Sequence, residues 1–587
     1  MDEITPIPLI QTPGLLPVRA SVSKKTKQFI FVIIGLMLVQ TSLCQDIEKL
    51  DLKKPFQFHG NINLQFEYYK ASGIPARKRD FSWLLNGNPV LTVLGVDIPF
   101  SFVLSNFENK FYQPFNQFGI SPHYKWATLH LGYRNITYSH YTLAGHRMLG
   151  AGFELKPKKF RIGFMYGQLR RSTSIDSSMN ANPLYVRPAP TYKRMGIAGK
   201  LGYGTQKNYI DLIYFKGWDK ESSLSSKLND SIQPAENTTI GITSKVTFHK
   251  KISWVTDAGL SAYTLNKMDG KDTTGISKAW PHSIMQLFAG DKLSTHYYFA
   301  GETRMGYQEK TWGAQLMYKR IDPGYQSMGA YFFQNDIQEI SLANNFKLDS
   351  GRLNINTSIG FQKDNLEKQK TATSKRFIGS ANINYIPSQR FGISFNYSNY
   401  GITNNPLQTS PGNELFKQVN NSFMLMPFFT WVNDKTIKNL NIVGSYQSLS
   451  TPKSYLGTVP DLNTYSLTTT YNHTWIQQGM NANAALNYIH STTAAGDIGS
   501  YGGTLGGMVP LAKRKVIFNA SGSYLENTFK GNSNGYTINA SAGFTVPIGT
   551  QHNFQLLGNY MTNQSKNTTI VQNFDELSVQ FIYGLNF

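Results

Sequence analysis

The sequence predicts an all-β fold, a transmembrane antiparallel up-and-down barrel of about 26 strands, within a range of about 22 to 26. Three observations carry that prediction. Apolar residues recur at every second position through almost the whole chain. The composition is rich in aromatics and poor in charge. The segments between the alternating stretches are by turns long and short.

The alternation is clearest at the end of the chain. In "ELSVQFIYGLNF", Leu577, Val579, Phe581, Tyr583, Leu585 and Phe587 share one face, while Ser578, Gln580, Gly584 and Asn586 share the other. Period two is the mark of a strand with a different environment on each side. "NINLQFEY" places Ile62, Leu64, Phe66 and Tyr68 on one face, and "RFGISFNY" does the same with Phe391, Ile393, Phe395 and Tyr397. The intervening positions are mostly Asn, Ser, Thr, Gly and Gln, which suits a hydrated interior better than a charged outer surface.

Composition decides between a soluble sheet and a membrane barrel. Of 587 residues, 13% are aromatic and only 16% are charged. An average soluble chain carries roughly 25% charged residues. No apolar run is long enough for a membrane-spanning helix, which needs about 18 or more residues. A chain that is polar on average, with many aromatics and few charges, matches strands that face lipid on one side and a wet lumen on the other.

The chain opens with an address. Lys24, Lys25 and Lys27 precede the apolar run Phe29 to Val39 and then "QTSLCQD", the layout of a secretory signal. Residues 1–44 read as leader and signal peptide cleaved after Cys44, and 45–56 as a short periplasmic segment before a barrel over 57–587. An acylated Cys44 is the alternative, disfavoured by the bulk of Leu43 before it. Cleavage after Cys44, the one cysteine, leaves a mature chain without disulfides, zinc thiolates or thiol catalysis. The net charge of +22 becomes +20 once the leader's +2 is removed. Such an excess implies anionic company, and an exported protein meets lipopolysaccharide phosphates and anionic solutes before nucleic acid.

The connections sort by length. "QSKNTTIVQNFDE" is long and "PIGTQHN" short; "ENTFKGNSNG" is long and "LAKRK" short; "GITNNPLQTSPGNELFKQVN" is long and "IPSQR" short. Outer-membrane barrels have short periplasmic turns and longer external loops. Counted back to "HGNINLQFEY", the pattern predicts thirteen outer connections. Ser105 to Trp126, expected on the short-turn side, is unusually long and aromatic there. Phe111, Tyr112, Phe115 and Phe118 make it a candidate lumen plug or docking segment, or else a pair of short strands.

The terminal strand with Phe581, Tyr583, Leu585 and Phe587 resembles the C-terminal signal by which outer-membrane barrels are recognised for insertion. With the signal ending "SLC" and the Asn/Tyr/Phe-rich strands, the chain resembles Bacteroidota outer-membrane proteins. That likeness implies a multi-pass protein of the bacterial outer membrane, in contact with its lipid and lipopolysaccharide. It also implies the barrel-assembly machinery as a partner during insertion. TonB-dependent receptors carry a large plug domain before the first strand, whereas here only Gln45 to Gln57 intervene.

Alternation turns His130, Arg134, Glu154, Arg161, Lys200 and Asp211 inward. They form either a basic lumen that attracts anions or a ladder of wall-to-wall ion pairs. No HExxH or nucleotide-binding pattern occurs, and the histidines near His140 and His146 lack the carboxylates of a metal site. The expected function is a porin-like channel with a positively biased lumen and no cofactor. The alternative is a non-catalytic docking barrel in a secretion, assembly or display complex, holding an outer-membrane or periplasmic protein.

Overall fold

A computed structural model describes residues 56–106, 117–173, 190–224, 232–273, 281–330, 334–370, 372–406, 416–450, 461–493, 496–566 and 573–587. These form one closed antiparallel barrel of 26 strands. Closure comes from the first long strand, Asn61–Ser72, which pairs with Phe81–Gly87 on one side and with the last strand, Phe574–Asn586, on the other.

Three wall strands are built from two segments each. Phe56–His59 continues into Asn61–Ser72 through Gly60, whose φ of 145° admits no other residue easily. A Cβ at Gly60 would lie 2.6 Å from Pro89 Cα, at the kink between Phe81–Gly87 and Val90–Val93 of the neighbouring strand. Gln117–Ile120 and His123–Tyr124 are likewise one strand, interrupted at Pro122, where no N–H is available for the ladder.

The predicted alternation sets the faces. Leu212 is 56% exposed and Ile210 52%, while Asp211 is 3% exposed and Ile213 is fully covered. The outward set is apolar and aromatic, and a continuous surface of that kind is stable in a bilayer rather than in water. Aromatics gather at two levels. Phe391, Phe429 and Trp431 stack near the short turns. Tyr397, Phe423, Tyr446 and Tyr465 run in a chain of ring contacts nearer the long connections. Two girdles flanking an apolar band are the outer surface that a bilayer demands of a barrel.

At one end no connection exceeds four residues, from Leu94–Gly95 to the turn after Leu511. The other end carries thirteen connections, most of them long. One expectation fails there. "ENTFKGNSNG" is not a long loop: Val516–Phe529 and Asn532–Ile548 meet through Lys530 and Gly531 alone, with φ of 51° and 79°. Two successive positive φ values make the tight turn that suits strand twist, and its Asn and Ser neighbours continue the ladder.

The aromatic segment Ser105 to Trp126 also sits differently from expectation. It joins Val96–Ser105 to Gln117–Ile120 at the long-connection end, and its second half is wall. Phe118 is an exposed wall residue, edge-on to Tyr133. Phe111, Tyr112 and Phe115 lie outside the described residues, as do Cys44 and the whole leader.

Candidate functional site

The interior is the candidate site, and it has two unlike halves. From Phe391 to the end, the described strands carry charge only near their ends, as at Lys438 and Glu576. Between them the inner wall is amide and hydroxyl. Ser445 bonds Ser466 at 2.6 Å, Thr464 bonds Ser491 at 2.9 Å and Thr537 donates to Asn563 at 2.8 Å. A concavity of about 720 Å³ opens where this lining meets the preceding strands, walled by Asn345, Asn356 and Asn382 of those strands and by Asn396 and Ser398 of this half.

The half formed by the earlier strands is charged, and its charges reach across glycine. Arg161 faces Gly202 on the next strand, and Gly202 faces Asp211 on the one after. The guanidinium therefore passes over Gly202 and meets Asp211 with both prongs, at 2.7 and 2.8 Å. A Cβ at Gly202 would sit 1.9 Å from Asp211 Oδ1. Lys200 and Glu154 repeat the arrangement across Gly163, at 3.2 Å. Arg194 and Asp219 are direct cross-strand neighbours and pair with two bonds of 2.8 and 2.9 Å. A bidentate Arg–carboxylate pair is the strongest geometry available to such charges.

Two connections fold inward over this half. The first, residues 136–146, follows Ala127–Asn135; the second, residues 322–330, follows Trp312–Ile321. Leu143 of the first and Met328 of the second pack with Met165, Ala198, Ile213 and Phe215 of the inner wall. Fully burying each such side chain contributes about 1.5–3 kcal/mol. The loops hold each other as well. Ala144 N–H donates to the Gly329 carbonyl at 2.9 Å, and the Ser327 hydroxyl donates to the Thr142 carbonyl at 2.7 Å. The buried Tyr325 hydroxyl donates to the Tyr141 carbonyl at 2.6 Å. Asn237, wholly buried in the wall, accepts Met328 N–H at 3.0 Å and donates to Ser261 and to the Ala262 carbonyl.

Wall glycines make room for the loops. A Cβ at Gly241 would approach Thr142 Cγ2 to 2.5 Å, and one at Gly259 would press on both Tyr141 and Tyr325. Asp257 then fixes the first loop from the wall. It accepts the Ser139 hydroxyl at 2.5 Å and His140 N–H at 3.0 Å, and its Oδ2 lies 2.9 Å from His140 Nδ1. A Ser, a His and an Asp meet here, but the serine donates to Asp257 rather than to His140. That order does not activate a nucleophile. Burial first, then the Arg194 and Arg170 guanidiniums, pushes His146 at the loop's end down to about 4.

The structure thus brings four of the six inward candidates into two pairs, Arg161 with Asp211 and Lys200 with Glu154. His130 bonds Ser121 at 2.8 Å, and Arg134 donates to Ser101 at 3.1 Å and to the Ile120 carbonyl at 3.4 Å. Among the described residues no group of three or more His, Cys, Asp or Glu could hold a metal ion. Sequence reading missed Asp257, Asn237 and Tyr325. Asp257 had a signal, since it interrupts the polar-neutral positions of "ISWVTDAGLSAYT" on the inward face. Tyr325 had none, because a loop tyrosine reads the same whichever way its loop folds.

Outer surface and lumen together define a transmembrane β-barrel narrowed by its own in-folded connections. No family profile and no curated relative matches the chain. Among solved structures it is similar to the P pilus usher PapC translocation pore, at 11% identity and TM-score 0.35, over 90% of this chain and 99% of that one. It is similar to the FrpB iron transporter of Neisseria meningitidis, at 10% identity and TM-score 0.37, over 92% and 83%. It is also similar to OccAB2 of Acinetobacter baumannii, at 9% identity and TM-score 0.29, over 67% and 98%.

Proposed function

We propose that the protein is a porin-like, solute-conducting barrel of the bacterial outer membrane, with a positively biased lumen and no catalytic role. The observation that carries this reading is the concavity of about 720 Å³, lined by Asn, Gln, Ser and Thr side chains with Ala314, Ala343, Ala381 and Met424 among them. A structural wall would fill that space with apolar side chains, whereas amides and hydroxyls keep it wet and exchange bonds readily with a passing solute. The net charge of +20 that remains without the leader, 22 − 2, supports the positive bias. The in-folded loops act as the narrowing that sorts solutes by size.

Lipid and lipopolysaccharide surround the barrel in this reading, and the assembly machinery inserts it from its C-terminal strand. The loop-filled half favours a second reading, a closed barrel that docks another outer-membrane or periplasmic protein. Single-channel conductance of the purified, refolded barrel across a salt gradient separates the two. Steady anion-selective currents are expected. A folded but silent barrel overturns the channel and directs the search to pull-downs of a docked protein.

A further inference from the structure

We infer that the barrel holds an oxyanion-binding site at Arg134. This deepens the channel reading above by naming the class of solute, a small carboxylate or phosphate, that the lumen would retain. The contrast among inward arginines carries the inference. Arg161 and Arg194 each grip an aspartate with two bonds. Arg134 has neutral acceptors only, the Ser101 hydroxyl and the Ile120 carbonyl, and its Nη2 has no hydrogen-bond partner among the described residues. A half-buried guanidinium without a counter-charge is costly, and an anion arriving from solution removes that cost.

The surroundings are built to receive one. Arg134 lines a cavity of about 540 Å³ with Asn86, Asn88, Gln117, His130 and Arg147. No carboxylate is among the described residues of that lining. His130 Nδ1 lies 2.8 Å from the Ser121 hydroxyl. With that hydroxyl donating to Nδ1, the ring hydrogen sits on Nε2, which has no partner of its own among the described residues. The guanidinium lies against Gly119, where a Cβ would fall 3.1 Å from Arg134 Cζ and Nε, so the strand is shaped to seat it. Planar donors in a fork match the oxygens of carboxylate and phosphate. The site is on the inner face, which excludes a lipid phosphate as its source.

The test is thermal unfolding of the whole refolded barrel in neutral detergent, with inorganic phosphate against chloride at equal ionic strength. Phosphate should raise the midpoint of the native protein by about 2–4 °C at saturation. Arg134→Gln should abolish the rise while folding normally. Should that variant not fold, Arg134→Lys keeps the charge, and calorimetric titration should show phosphate binding weakened about tenfold. No rise in the native protein, or an equal rise in Arg134→Gln, or equal affinity in Arg134→Lys, overturns the site. A barrel that is silent in a bilayer yet responds to phosphate loses the channel reading and keeps the site. One that conducts without responding does the reverse.

Discussion

Arg161 and Asp211 stand two strands apart and touch because the residue between them, Gly202, has no side chain. The ion pair is thus a property of three strands, and its least conspicuous member is the one that permits it. Gly202→Ala should break it, since the new Cβ would fall 1.9 Å from Asp211 Oδ1. The expected loss is about 1–3 kcal/mol, the cost of a buried charged group left imperfectly paired. Chemical denaturation of the detergent-folded barrel measures it. Gly522→Ala is the control, because a Cβ there meets nothing within 4 Å. Equal stability of the two variants would show that the pair tolerates being parted.

Asp257 is the anchor of the first in-folded loop, through the Ser139 hydroxyl and His140 N–H. Asp257→Ala should release the loop, with each lost buried bond worth about 1–3 kcal/mol. Thr142, fully covered in the loop, is the reporter. A cysteine introduced there should resist a water-soluble thiol reagent in the native background and react in Asp257→Ala, with a larger and noisier channel current. Protection that survives the substitution would mean that the apolar contacts of Leu143 suffice.

Acid should loosen the same loop. Burial and its arginine neighbours hold His146 at about 4, against an ordinary value of 6.5. The seated loop keeps the imidazole neutral, whereas the released loop protonates near 6.5. Seating is therefore complete above pH 6.5 and weakens as pH falls from 6.5 toward 4. Labelling at the Thr142 position should rise over that window and stay flat above it. His146→Gln should remove the dependence; an unchanged profile in that variant would assign the effect to another group.

Phe587 closes the seam. Its ring stacks on Phe58 with centroids 4.3 Å apart, and its backbone exchanges two bonds with Gly60. Phe587→Ala and Phe58→Ala remove the same ring contact, so they should destabilise the folded barrel alike, by about 1 kcal/mol. Only Phe587→Ala should lower the amount inserted in cells, if the terminal aromatic is read by the assembly machinery. Equal insertion of the two, compared by heat-modifiable mobility of outer-membrane fractions, would remove that role.

The sequence by itself determined the wall. Period two tells the outward Leu212 from the inward Asp211, and turn chemistry sorts the connections, because both signals are local to a strand and its neighbours along the chain. It misjudged the residues on either side of the Lys530–Gly531 turn, where a polar alternation looked like loop and is ladder. Tertiary structure alone decided the interior. Which inward charges meet depends on register across three strands, as Gly202 and Gly163 show. Which connections fold in depends on whether the opposite wall offers a floor, as Gly241 and Gly259 do beneath Thr142, Tyr141 and Tyr325. Those contacts join residues from 66 to 118 positions apart, and no local pattern records them. The lining of the lumen, and so the function, is set by pairings that exist only once the barrel has closed.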